Sequence, residues 1–233
     1  MRVTAVIVAA GRGTRMGGAA NKVLLPLAGL PILAHVLAAF ADAPRISEIV
    51  LVAREGEEED VTSLLPARAR TRTRIVRGGA ERRDSSLSGV RAASGDLVLI
   101  HDAARPLVSR ELIDRVIDGT IAHGACVPVV PVVDTVRRVG PAGLLPDVIE
   151  RFGLVAIQTP QGFRTEVILR GLAETTGLTL PDDAAAVLAC GLPVSVVDGE
   201  RENLKVTTAS DLALAEAFLA QRGRRVVRPA DPG

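Results

Sequence analysis

One alternation runs through the chain: a short unbroken apolar run, a turn of glycine, proline or charge, then a segment whose apolar residues fall three and four apart. The runs are "VTAVIVAA" from Val3, "EIVLVA" from Glu48, "TRIVRG" from Thr73, "DLVLIHDA" from Asp96 and "ACVPVVPV" from Ala125. Runs this short, without a polar face, suit parallel strands buried on both sides. Between them, "PILAHVLAAFADA", "ERRDSSLSGVRAAS" and "SRELIDRVIDGTIAHG" have helical spacing; the last opens on Ser109 as N-cap, with Leu112, Ile113, Val116 and Ile117 on one face. Further on, "TEVILRGLAETTG", "DDAAAVLACG" and "TASDLALAEAFLAQRG" read as helices and "PVSVVDG" as a strand. This rhythm predicts an α/β fold, a mostly parallel open sheet covered by helices, with the ligand at the carboxyl ends of the strands.

Composition narrows the function. With 233 residues, 48% of them hydrophobic, the chain has material for one sizeable core, expected over residues 1–222 with a frayed basic tail over 223–233. Twenty-eight basic against 27 acidic residues give a net charge of +1, which argues against a polyanion-coating protein and makes nucleic acid an unexpected partner. Aromatic content is 2%, with no Trp or Tyr, so base stacking is not the main recognition device. Cys126 and Cys190 stand far apart without cysteine or histidine companions, which fits a reducing cytoplasm better than a disulfide framework or zinc site. The first apolar run reads as a strand rather than a secretory leader or a membrane span.

The turn after the first strand, "AAGRGTRMGGAANK", brings glycines and cations together. Met16 stands where a dinucleotide fingerprint needs its third glycine, and no Gly-Lys-Ser/Thr completes a P-loop. What remains is a glycine turn with Arg15 and Lys22 beyond it, either a polyphosphate cradle or a turn with solvated cations. Two further strand ends carry ligand-type chemistry: Gly78, Gly79, Arg82 and Ser85 after the third run, and Asp102 and Arg105 after the fourth. Their alignment along one sheet edge favours a cradle.

The rhythm breaks over 128–162, where "PVVPVVDTVRRVGPAGLLPDVIERFGLVAIQTPQGF" has β-rich pieces around a "GPAG" turn. This segment reads as an extended hairpin arm, about 131–157. A lone hairpin is marginal in water, so the arm is expected to pack on a second subunit, the alternative being a meander folded on its own domain.

The motifs "AAGRGTRMG", "NKVLLPLAGLPIL", "GGAERRDSS", "HDAARP", "PVVDTVRR", "QTPQGFR", "PDDAAAV" and "NLKVTTASDLALAE", in this order over Val3 to Leu219, closely resemble the 2-C-methyl-D-erythritol 4-phosphate cytidylyltransferase family. The resemblance implies a Rossmann-like, GT-A-like nucleotidyltransferase fold with a protruding β-arm for dimerisation. It implies transfer of CMP from CTP to 2-C-methyl-D-erythritol 4-phosphate with release of pyrophosphate, aided by Mg²⁺ or another divalent cation whose ligands stay unassigned. By resemblance, Arg15, Lys22, Arg151 and Lys205 are catalytic. Ala9, Ala10, Gly11, Gly13, Gly79 and Ser85 would bind the nucleotide, and Asp102, Arg105, Thr135, Thr159 and Thr207 the sugar phosphate. Thr135, Arg151 and Thr159, on or just after the arm, would enter the neighbouring subunit's site in a homodimer. Three positions depart from the family pattern: Asn21 replaces a usual proline, Ala80 a common polar residue and Pro181 a threonine. Rival readings are cytidylyl transfer to another polyol phosphate, such as ribitol 5-phosphate, and a catalytically silent nucleotide-binding regulator.

Overall fold

The structure, a computed structural model, describes residues 1–11 and 21–226, with side chains through 222. In chain order the strands and α-helices are β1 (Val3–Val8), β2 (Pro26–Leu27), β3 (Leu30–Pro31), α1 (Ile32–Asp42), β4 (Glu48–Ala53), α2 (Glu58–Ser63), β5 (Thr73–Arg77), α3 (Arg82–Ala92), β6 (Leu97–Asp102), α4 (Arg110–His123), β7 (Ala125–Pro131), β8 (Val155–Ile157), β9 (Gln161–Arg164), α5 (Thr165–Glu174), α6 (Asp183–Ala189), β10 (Ser195–Asp198) and α7 (Ala209–Val226).

The main sheet runs β10-β7-β9-β6-β1-β4-β5, with β8 pairing the far part of β7. Pairings β6-β1, β1-β4, β4-β5 and β10-β7 are parallel, as the unbroken apolar runs require. β9 is antiparallel and lies between β6 and β7, pairing Ile100 with Gln161 and Cys126 with Gly162.

Alternation along β1 divides the core. Val3, Ala5 and Ile7 face one side, against Val36, Leu37 and Phe40 of α1 and Leu112, Ile113 and Val116 of α4. Val6 faces the other, with Val90 of α3, Ile168 and Leu172 of α5 and Val187 of α6. The two buried faces are the reason these strands carry no polar stripe. Helix α3 lies close on β1 because residue 89 is glycine: a Cβ there would fall 2.3 Å from Val6 Cγ1. Ser109 caps α4 as its sequence announces, its hydroxyl accepting from Leu112 N–H at 3.0 Å.

Register aligns the strand ends. Val8 pairs with both Val52 and Asp102, and Ala53 with Arg77, so the turns after β1, β4, β5 and β6 share one edge.

The arm pairs only at its base, Val129 with Ile157, Val130 with Ala156 and Pro131 with Val155; beyond it the "GPAG" turn is a single 3₁₀ turn, Pro141–Gly143. Val133, Val139, Leu144, Leu145, Val148 and Phe152 are all exposed, Phe152 to 94%. These side chains do not fold back into the domain.

Candidate active site

At the shared edge lies a cavity of about 690 Å³. Ala9, Ala10 and Gly11 enter it from the end of β1, Gly79 and Ser85 from the turn into α3, and Lys22 from the segment after the glycine loop. The backbone closes in here only because residue 78 lacks a side chain: a Cβ would meet Ala10 Cβ at 2.3 Å and Ser85 Oγ at 2.8 Å. Buried Ser85 accepts from Gly79 N–H at 3.2 Å, which fixes the turn. Lys22 Nζ donates to the Val206 carbonyl at 3.1 Å, and Val206 N–H to the Ala104 carbonyl at 2.8 Å, so the 205–206 segment is tied both to Lys22 and to the turn after β6. Gly13 and Arg15 lie outside the described residues.

Asn21, which precedes Lys22, is 1% exposed. Its Nδ2 donates to the Ala9 carbonyl at 2.9 Å and to Glu57 Oε2 at 2.7 Å, while its Oδ1 accepts from Val23 N–H at 3.3 Å. The approach to Lys22 is thus hydrogen-bonded rather than loose.

A second cavity, about 510 Å³, adjoins the first, and Arg82, Asp102 and Lys205 line both. Arg105, Thr159, Gln158 and Pro181 line only the second. The dividing wall is a charge chain. Asp102 Oδ2 lies 2.7 Å from Lys205 Nζ, its Oδ1 3.1 Å from Arg82 Nη2, and Arg82 Nη1 2.7 Å from Asp183 Oδ2. Burial alone would raise the Asp102 pKa, but Arg82 and Lys205 outweigh it and hold the carboxyl well below the usual carboxylate range. Burial likewise opposes the Arg82 charge, yet Asp183 and Asp102 raise its pKa above the ordinary value. Asp102 is therefore a buried carboxylate, held charged at neutral pH by the half-buried Arg82.

Beneath Asp102 runs a neutral relay. His101 is fully buried, which lowers its pKa to about 4. The Arg105 carbonyl, 3.1 Å from Nε2, can only accept, so Nε2 carries the proton and Nδ1 accepts from the Thr159 hydroxyl at 3.1 Å. Thr159 Oγ1 in turn accepts from Asp102 N–H at 3.1 Å. On the other side, Arg105 Nη1 donates to the Asn203 carbonyl at 2.8 Å, and Asn203 Nδ2 to the Thr159 carbonyl at 2.8 Å.

The sequence-derived residues thus separate into groups. Ala9, Ala10, Gly11, Lys22, Gly79 and Ser85 meet in the first cavity, Arg105 in the second, and Asp102 and Lys205 between them; Thr159, expected to enter a neighbouring subunit's site, is instead buried against His101 and Asp102 and lines the second cavity of its own chain. Thr207 lines neither; its hydroxyl and N–H both donate to Asp211 at the start of α7. Thr135 and Arg151 are exposed on the arm and line neither cavity, and Arg151 Nη1 donates to the Val133 carbonyl. Sequence reasoning named Arg82 without giving it a role and passed over Asp183, Gln158 and Asn203. The signals were in quoted motifs, "GGAERRDSS", "PDDAAAV", "QTPQGFR" and "NLKVT", but pairing across 101 positions (82 to 183) cannot be read from spacing.

Among the described residues, no three His, Cys, Asp or Glu side chains converge as a metal-binding group, and no helix is long and apolar enough to cross a membrane.

Comparison with known proteins identifies the family and the fold. The family model for 2-C-methyl-D-erythritol 4-phosphate cytidylyltransferase (IspD) matches residues 3–221. A protein of that name from Symbiobacterium thermophilum is 40% identical over 227 residues, covering 96% of this chain and 95% of its own. A bifunctional IspD/IspF enzyme of Rhodospirillum rubrum is 42% identical over 227 residues, covering 96% of this chain and 59% of its own. Among solved structures, the Thermus thermophilus cytidylyltransferase superposes with a TM-score of 0.77 at 35% identity, covering 92% of this chain and 98% of its own. The chain therefore belongs to the 2-C-methyl-D-erythritol 4-phosphate cytidylyltransferase family.

Proposed function

We propose that the chain transfers the cytidylyl group of CTP to the phosphate of 2-C-methyl-D-erythritol 4-phosphate, giving 4-diphosphocytidyl-2-C-methyl-D-erythritol and pyrophosphate in non-mevalonate isoprenoid synthesis. The observation that carries this reading is the pair of adjoining cavities divided by Asp102, Arg82 and Lys205. One is edged by backbone N–H groups, a buried serine and Lys22, as a nucleotide triphosphate needs; the other offers a carboxylate, a hydroxyl and cations, as a phosphorylated polyol needs.

An oxygen of the acceptor phosphate attacks the α-phosphorus of CTP; the new P–O bond forms as the bond to the β-phosphate oxygen breaks, and pyrophosphate leaves with that electron pair. Both reactants are anionic, so the protein's task is alignment and charge neutralisation. Lys22, with Arg15 by family resemblance, takes up charge on the triphosphate as it develops. Lys205 holds the attacking phosphate, with Asp102 keeping its ammonium at the boundary between the two substrates. Gly79 and Ser85 select the cytosine ring by hydrogen bonds, without an aromatic stack. Mg²⁺ or another divalent ion supplies further charge neutralisation when bound. Asp102 is already engaged by Arg82 and Lys205, so such an ion would be held mainly by CTP oxygens and water.

We infer a homodimer in which the arm of one subunit brings Thr135 and Arg151 to the acceptor cavity of the other. Neither lines a cavity of its own chain, and the apolar side chains of the arm are exposed, which supports this reading. The free Cys126 and Cys190 suit a cytoplasmic protein.

The acceptor is tested by pyrophosphate release from CTP and Mg²⁺ with each polyol phosphate. Methylerythritol phosphate should be used far faster than ribitol 5-phosphate; the reverse order would overturn the assignment.

A further inference from the structure

The described chain after β1 runs to Gly11 and resumes at Asn21, and Glu57 is tied to both ends, directly to Asn21 and through Arg54 to Gly11. Glu57, just before α2, accepts from Asn21 Nδ2 through Oε2 at 2.7 Å and faces Arg54 Nη1 through Oε1 at 3.1 Å. Arg54 Nη2 donates to the Gly11 carbonyl at 2.8 Å, and Asn21 Nδ2 also reaches the Ala9 carbonyl at 2.9 Å. Each oxygen of the Glu57 carboxylate therefore serves a different end of the loop. The next residue after Asn21 is Lys22, and Asn21 caps the 3₁₀ turn, Lys22–Leu24, that carries it.

From this geometry we propose that Glu57 is a positioning residue for cytidylyl transfer: with Arg54 and Asn21 it clamps the two ends of the phosphate loop and fixes where Lys22 meets the triphosphate. The inference rests on the proposed transferase activity and adds to it Glu57 and Arg54, which lie outside the family motifs quoted above. Charge makes the clamp directional. One carboxylate accepts from an amide on one side and a guanidinium on the other, which neither a neutral glutamine nor an alanine reproduces. The Asn21 backbone, at φ −66° and ψ 119°, already has the φ that proline imposes. A proline there would fix the approach to Lys22 covalently and make its tie to Glu57 dispensable.

That equivalence supplies the test. Steady-state kcat and KM for CTP and for methylerythritol phosphate are measured for the full chain, E57A, E57Q, N21P and N21P/E57A, with thermal melts for each. A misplaced catalytic cation costs rate rather than acceptor affinity, so E57A should lower kcat about tenfold or more, E57Q less, with KM for methylerythritol phosphate within about twofold. In the N21P background the same E57A change should cost less than about twofold, a rescue that a merely structural role would not show. E57A at the wild-type kcat, or an equal loss with and without N21P, would overturn the clamp. If E57A proves unfolded by its melt, E57Q measured in both backgrounds decides by the same ratio. A wild-type chain that makes no product would count against the transferase reading instead, which keeps the two failures apart.

Discussion

The Lys205 ammonium sits 2.7 Å from the Asp102 carboxylate, joining the end of β6 to the segment before α7 across 103 positions of sequence. Because Arg82 holds the other carboxylate oxygen, Asp102 cannot lose its charge without leaving two cations facing each other. D102N should therefore lower kcat/KM for methylerythritol phosphate by about 100-fold and unfolding free energy by about 1–2 kcal/mol, the scale of losing charge-assisted hydrogen bonds to partly exposed cations. KM for CTP should change less. Steady-state kinetics with both substrates varied, together with urea unfolding, check it.

Acid stability follows from His101 and Asp102. His101 titrates near 4 when folded, below the value of about 6.5 in an unfolded chain, so the unfolded state takes up a proton that the folded state refuses. Stability from this group is full above about pH 6.5 and falls toward pH 4, by at most about 1.4 kcal/mol per unit. Asp102, with its folded pKa depressed, contributes stability that is present above about pH 4 and lost as pH falls through its folded value. Thermal melts from pH 7 to 4 should show the decline, and H101Q should flatten it. An equally steep decline in H101Q would remove His101 as its source.

Gly78 should be intolerant of even one methyl. In G78A the new carbon meets Ala10 and Ser85, so the turn carrying Gly79 must move off the nucleotide cavity. Overpacking of this kind costs about 1–3 kcal/mol, and the affinity for CTP should fall about tenfold or more by calorimetry.

Most of this fold was legible because its central strands β1, β4 and β6 are buried on both faces and helices such as α4 are capped and amphipathic. Six strands, β1, β4, β5, β6, β7 and β10, lie where apolar runs predict them, and α1, α3, α4, α5, α6 and α7 where the helical spacing does. β9 was not legible. Its four residues, Gln161 to Arg164, contain a glycine and are too few to show alternation, and their place between β6 and β7 is set by partners far away in sequence. The expected hairpin is realised only at its base, since Pro141, Gly143 and Pro146 and a short ladder leave most of the arm without paired strands. Helix α2 was missed because "EEDVTS" buries only Val61. In the site, spacing and motifs located the glycine turn, Asp102 and Lys205. They could not show that Arg82 spans both cavities or that His101 is a buried relay, because each depends on contacts made only after β6, β9 and α6 are assembled.

The proposed sharing of sites between subunits makes a quantitative prediction. If Arg151 reaches the partner's acceptor cavity, R151A and K205A chains should each be inactive alone, while a mixed dimer gathers both lesions in one site and leaves the other whole. Random exchange makes half of the dimers mixed, each with one intact site, so activity should recover to about one quarter of wild type. No recovery after proven exchange would contradict sharing.

The central claim is that two phosphates are joined at the Asp102–Lys205 boundary. Phosphorus NMR of the chain with CTP, Mg²⁺ and methylerythritol phosphate observes this directly. The monoester signal of the acceptor should disappear as two coupled diphosphate signals and free pyrophosphate appear, and K205A should slow their appearance by about 100-fold or more. An acceptor monoester that stays unchanged while CTP remains intact, or is merely hydrolysed to CMP, would contradict it.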